Sequence, residues 1–224
     1  MQFVPHFQID VNDSIFVKDP ESTALGKKIV SGSIDLIERD GFDNYTFKKL
    51  SAHIGSTEAS IYRYFENKNK LLLYLTSWYW TWQEARVQYA INNILDTEEK
   101  LKVVINVLTE EIKEDSSFSH VNEIKLQRIV FSESPKSFLT KEVDEYNRVG
   151  IFESYKRLVR FISDLILAIN PKFGYARMLV TTILDGALHQ RFFAEHIPSV
   201  TNQSEGEDAV QNFYTSLVLK VIKN

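Results

Sequence analysis

The chain has no cysteine in 224 residues. Disulfides, thiolate metal sites and cysteine nucleophiles are therefore excluded, and an intracellular setting is compatible with that composition. Glycine and proline are scarce, at 8 and 5 residues, so long irregular stretches are not expected outside the ends. No apolar run approaches the roughly 18 residues needed to cross a bilayer. The first residues also place no cationic stretch ahead of an apolar one, so a cytoplasmic protein is expected. Gly-rich phosphate loops, nucleophile elbows and two-histidine zinc helices are all missing. No catalytic residue, cofactor or enzymatic activity is expected on those grounds. The five histidines, His6, His53, His120, His189 and His196, show no metal-ligand spacing, so no metal site is expected.

An excess of positive charge is missing too. The formal net charge is −4, and between residues 19 and 70 eight Lys and Arg balance eight Asp and Glu. What is present is 44% hydrophobic residues in helical periodicities, enough for a sizeable core and consistent with packed helices.

The most informative stretch is Thr46 to Leu72, TFKKLSAHIGSTEASIYRYFENKNKLL. Thr46 is a good N-cap, and Phe47, Leu50, Ser51 and Ile54 share one inward face of a short helix. Gly55 can adopt the left-handed conformation that ends it, and Ser56 or Thr57 can cap the next within a residue or two. That second helix, roughly Thr57 to Phe65, has a small residue at Ala59 for close packing. It turns Ile61 and Phe65 inward and leaves Ser60, Tyr62, Arg63 and Tyr64 outward, a form that fits a major groove. Asn67 caps a third element whose first turn carries Lys68, where backbone amides and an ammonium would meet a phosphate. With a head that is neutral overall, attraction to DNA must come from local placement of Lys48, Lys49, Arg63, Lys68 and Lys70.

Leu50, Gly55, Thr57, Ile61, Tyr62, Phe65, Lys68 and Leu71 stand where the TetR family of bacterial transcriptional regulators places its motif. Over about residues 22 to 75 the chain resembles that family. The resemblance implies an all-α protein with a three-helix DNA-binding head and a C-terminal helical effector-binding and dimerisation domain, about nine helices in all. It implies that Thr46, Tyr62 and Lys68 meet the DNA backbone and that Ser60, Arg63 and Thr57 lie nearest the base edges. With Lys48 and Tyr64 these residues make up the expected DNA-binding set. Two positions depart from the family. Ser56 replaces the usual apolar residue after the turn glycine, and Glu58 stands where a basic or small polar residue is common. Glu58 repels phosphates unless it accepts from a cytosine amino group or pairs with Lys48 or Lys49.

The expected domains are an N-terminal arm or hairpin at 1–18, the head at 19–70 and the effector and dimer domain at 71–224. FQIDV and SIFVK around Asn12 and Asp13 suggest a short β-hairpin or an extended arm. Asp19 and Pro20 open the first helix, which runs to Asp40–Gly41. A long helix follows from Asn67 to about Leu95, with Leu71, Leu75, Trp78, Trp82, Ala85 and Tyr89 on one stripe. Asp96 and Glu99 form a capping box for the next, and a further helix covers about Ser119 to Phe131. A single helix is expected from about Thr140 to Ile169, then Pro171 to His196, and finally Ser204 to Lys223, with Ser204 and Glu207 as another capping box.

The last two helices have broad apolar faces, explained by intrachain packing or by a partner. The family resemblance implies a homodimer through these two helices, reading a palindromic double-stranded operator. Trp78, Trp82, Phe131, Tyr146, Phe152 and Tyr155 fall on helices that surround an effector cavity in that family, although core packing is the default explanation for any one of them. Asp185 and His189 are one helical turn apart, placed to orient a ligand or simply to pair with each other or with the dimer mate. The expected function is a ligand-responsive transcriptional repressor with a small-molecule effector. The alternative is a helical small-molecule- or partner-binding protein whose head has weak or lost DNA affinity.

Overall fold

The computed structural model describes residues 9–112, 120–202 and 207–223, and is all-helical among them, with eleven α-helices and three short 3-10 turns. Two compact units divide the chain. The first holds residues up to Trp82 together with Ile112–Ser154, and the second holds Gln83–Glu111 with Tyr155–Asn224.

The first unit contains α1 (Ala24–Asp40), α2 (Phe47–Ile54), α3 (Glu58–Tyr62), most of α4 (Lys68–Ile91), α6 (Glu123–Ser132), α7 (Ser134–Phe138) and α8 (Val143–Arg148). Each head helix begins at a side-chain cap. Thr23, Thr46 and Thr57 accept from the amides of Gly26, Lys49 and Ser60, and Asn67 Oδ1 accepts from the amide of Lys70 at 2.9 Å. These bonds satisfy amides that the helix itself leaves unpaired. The core beneath is formed by Ile29, Leu50, Ile61, Phe65, Leu71 and Leu75.

The α4 helix departs from the expected single stripe. Every residue from Leu71 to Gln83 is buried, so this stretch is enclosed all round rather than amphipathic. Tyr89, expected on the stripe, is 79% exposed. The expected hairpin near the N-terminus is also replaced. Residues 9–18 contain no strand but a 3-10 turn, Asp13–Ile15, capped by Asn12, and residues 1–8 lie outside the described residues. Asn12 Oδ1 takes the amide of Ser14 at 2.9 Å, a local bond that turns the chain where an extended ladder was expected.

The helix expected over 140–169 is broken. α8 ends at Arg148, Gly150 takes φ +82°, and α9 (Glu153–Ile169) starts afresh. Ile151 donates its amide to the carbonyl of Tyr146 at 3.0 Å, closing the turn around that glycine. In the second unit α5 (Thr97–Thr109) opens on Asp96, whose carboxylate accepts from the Glu99 amide, as the capping box implied. Its core is made by Val87, Leu101, Val104, Ile166, Val218 and Ile222. α10 (Ala176–His196) starts five residues after Pro171. Asp208 caps α11 (Ala209–Lys223) through the amide of Gln211 at 2.9 Å. The expected capping residue Ser204 lies outside the described residues.

Candidate nucleic-acid interface

The turn between α2 and α3 is built by Gly55 at φ 65° and ψ 42°, the left-handed region that glycine reaches without steric cost. Gly55 and Ser56 both return their amides to the carbonyl of Ser51, which ends α2 and aims the chain into α3 within two residues. Ile61 and Phe65 are fully buried, so α3 is fixed by its inner face. The opposite face, Thr57, Glu58, Ala59, Tyr62 and Arg63, is exposed; Ala59, expected in close packing, is therefore on the open side. The Tyr62 ring is braced edge-on by Phe47 at 5.1 Å. Thr46 and Lys48 are exposed beside it on α2. Lys48 and Arg63 carry no side-chain ion pair or hydrogen bond among the described residues.

Three members of the expected set are held otherwise. Tyr64 is 4% exposed rather than outward, and its hydroxyl meets Thr23 Oγ1 at 2.7 Å. α3 stops at Tyr62, so the turn that follows swings Tyr64 onto the α1 cap; this corrects its placement on the DNA face. Lys68 is also engaged internally. Its Nζ donates to the carbonyls of Phe42, Asp43 and Tyr45 at 3.0, 3.3 and 3.2 Å and sits 4.7 Å from the Phe42 ring centroid. An ammonium has three donors, and here all three hold the α1–α2 loop. Ser60 is half-buried and shares its hydroxyl with Thr57 at 2.9 Å, reinforcing the cap.

The balanced charge of the head resolves differently in three dimensions. Asp35 pairs with Lys125 at 2.6 Å, Glu38 with Arg128 at 3.4 Å and Asp43 with Lys136 at 2.8 Å. The Asp43 carboxyl is held below its ordinary value by the hydrogen bond and then the charge of Lys136. Three head carboxylates are thus neutralised by α6 and α7, while Lys27, Lys28, Lys48 and Arg63 are exposed.

Sequence reasoning missed Lys18. Val17 donates its amide to the carbonyl of Tyr64 at 2.8 Å, and exposed Lys18 lies 5.4 Å from the Tyr64 ring centroid. A cation from the N-terminal segment is thereby set beside the end of α3. No spacing signal marks a contact across 46 residues.

Of the aromatic residues expected near an effector, Trp78, Trp82, Phe131, Tyr146 and Phe152 lie in the first unit and Tyr155 and His189 in the second. Trp78 and Trp82 are buried and stacked at 6.4 Å, and Phe152 stacks on Phe138 at 4.9 Å. Phe131, Tyr146 and Tyr155 are half-buried. His189 is exposed, with Nδ1 2.8 Å from the carbonyl of Asp185. Met178 and Phe192 on α10 and Phe213 on α11 are exposed at 67, 40 and 56%, and Tyr175, just before α10, at 68%. Against Gly186 packs the Tyr214 hydroxyl, in the space a Cβ would take. Among the described residues no helix is long and apolar enough to cross a membrane, and no cluster of His, Asp and Glu has the form of a metal site.

Residues 29–75 match the sequence profile described as bacterial regulatory proteins, tetR family. No curated protein sequence matches the chain significantly. Among solved structures, AibR in complex with isovaleryl coenzyme A and operator DNA is 17% identical, with a TM-score of 0.58 over 86% of this chain and 96% of that one. A bacterial regulatory protein in the tetR family from Rhodococcus RHA1 is 12% identical, with a TM-score of 0.59 over 90% and 96%. The superantigen PfiT is 18% identical, with a TM-score of 0.60 over 91% and 97%. At these identities the likeness is one of fold, and the fold has hosts with different activities.

Proposed function

From the premise that the helix-turn-helix head, residues 29–75, belongs to the tetR family of bacterial regulatory proteins, we propose that this chain is a ligand-responsive transcriptional repressor that binds a palindromic operator as a homodimer. The observation that carries the reading is the outer face of α3: Thr57, Tyr62 and Arg63 exposed together, with Arg63 and the neighbouring Lys48 unpaired among the described residues. Arg63 reads a base edge, the task for which a guanidinium fork is suited. Thr46, Lys48 and Tyr62 meet the backbone and set the register. Lys68 positions the loop before α2 and contributes through that loop.

The exposed apolar residues of α10 and α11 support a partner surface, and the proposed partner is a second copy of this chain. The effector is an apolar small molecule. Phe131 and Tyr146, half-buried aromatics of the first unit, are the residues whose substitution tests its contacts. AibR, solved in complex with isovaleryl coenzyme A and operator DNA, is a protein of this fold that holds both kinds of partner. Release requires a coupling of only a few kcal/mol between effector and DNA.

An anisotropy titration of the full chain against DNA flanking its own gene, at two salt concentrations, tests the reading. The expected result is competitor-resistant binding that weakens with salt, is lost in Arg63→Ala and Tyr62→Ala, and is carried by a dimer in sedimentation. Weak binding that ignores both substitutions there, and again in a selection from genomic fragments, overturns it.

A further inference from the structure

We infer that Glu58 is a specificity-determining residue that selects a base carrying an exocyclic amino group, cytosine before adenine, at one position of each half-site. The inference rests on the operator-binding reading above and adds to it the identity of one base.

Glu58 is the first residue of α3 and is exposed on the same face as Tyr62 and Arg63. A carboxylate on a surface meant for phosphates costs affinity through repulsion unless something answers its charge. Nothing within the head does. Lys49 sends its Nζ to the carbonyl of Asn44 at 2.8 Å, and Lys48 and Arg63 make no pair with it. Glu58 itself has no ion pair or side-chain hydrogen bond among the described residues. The first-turn amide at Ser60 is taken by Thr57 at 3.2 Å, so capping α3 does not call for this carboxylate either. The side chain is left with its acceptors open toward whatever α3 meets.

An ionised carboxylate only accepts. In the major groove guanine shows N7 and O6, and thymine shows O4 and a methyl group, so neither offers a donor and both would leave the charge desolvated. Adenine offers N6–H but sets the N7 acceptor beside it, against the second carboxylate oxygen. Cytosine offers N4–H with no acceptor on its outer side. A glutamate here therefore rejects guanine and thymine outright and ranks cytosine above adenine.

A carboxylate in the first turn also stabilises a helix through its dipole, and that role has no bearing on base preference. The deciding experiment is selection from a pool of randomised duplexes by the full-length wild type and by Glu58→Gln, each checked for an unchanged melting temperature. Expected in the wild type is one cytosine position in each half-site, where any other base weakens binding by about tenfold or more. In Glu58→Gln the preference at that position alone moves to adenine, whose N6 and N7 suit an amide. A duplex carrying 2-pyrimidinone in place of that cytosine lacks the amino group. It should weaken the wild type by a similar factor and leave Glu58→Ala unaffected. If Glu58→Gln tightens binding to every sequence by one common factor with no change in preference, Glu58 merely repels phosphate and the inference is overturned while the operator reading stands. If neither protein enriches any sequence, the operator reading itself falls and takes the inference with it.

Discussion

The head helices and the segment from Ser134 to Phe152 lie in the same compact unit and are built on opposite plans. α1, α2 and α3 each begin where a threonine side chain accepts an amide three residues on, and Asn67 does the same for Lys70. α7 and α8 begin with no side-chain cap at all. Their limits are imposed from far along the chain. Asn12 donates to the carbonyl of Val149 at 2.9 Å, Ser77 donates to that of Ile151 at 3.1 Å, and the Ser137 hydroxyl meets Thr76 at 3.1 Å. The starts of the head helices are specified locally. The 134–152 segment is specified by its contacts, which suits a region that responds to its neighbours.

The largest expected effect challenges the local half of that contrast. A Cβ at Gly26 would fall on the backbone of Pro20, carbonyl oxygen included, and neither partner is a flexible side-chain end. Gly26→Val should cost about 3 kcal/mol as the 3-10 turn is driven off α1, seen as a lower urea midpoint. A midpoint within error of wild type would mean that turn and helix are not locked together.

Next in size is the distal half. Gly150 holds φ +82°, and its Cβ would stand 3.1 Å from Asn12 Nδ2. Gly150→Ala should cost about 1–2 kcal/mol for the left-handed backbone, and amide exchange should quicken across 143–152 while the head amides stay protected. Equal loosening of α2 and α3 would erase the distinction between the two plans.

This contrast also governs what the sequence revealed. The capped head was legible because a threonine and an amide three residues later are a local signal, and Gly55 marks the turn by its conformation alone. The break at Gly150 was not, since one of the bonds that hold it comes from Asn12, 137 residues before Val149. The site divided in the same way. Tyr62 and Arg63 were readable as outward residues of α3. The inward turn of Tyr64 depends on Thr23, and the use of Lys68 depends on the three carbonyls around Asp43, neither of which spacing can announce. The charge count could not show which carboxylates are paired, because the cations answering Asp35, Glu38 and Asp43 lie 90 or so residues downstream on α6 and α7.

A smaller effect measures one cap directly. Thr57→Ala removes the acceptor for the Ser60 amide and should cost about 1 kcal/mol. Hydrogen exchange should speed at Ser60 and its neighbours and leave Val149 to Ile151 untouched. DNA affinity should fall more than stability does, because Thr57 also lies on the exposed face of α3. Exchange that spreads to the 149–151 turn would show that the caps are not local devices.

The smallest effect asks whether the head too borrows from a distant residue. Glu21, in the 3-10 turn before α1, meets His120 Nε2 at 2.9 Å and the Tyr74 hydroxyl at 3.2 Å. Burial pushes its carboxyl up. The hydrogen bond and charge of His120, the Tyr74 hydroxyl and the charge of Lys27 outweigh that and leave it below its ordinary 4.5. A carboxyl whose folded value is lowered binds its proton more readily in the unfolded chain, so its contribution is complete above pH 4.5 and fades as the pH falls through the lower folded value. The acid limb of a stability profile should therefore be shallower in Glu21→Gln than in the wild type below about pH 4.5, with the two running parallel from there to pH 6. Parallel curves throughout would mean that the Glu21–His120 contact contributes nothing to folding, and that the head stands on its local caps and core alone.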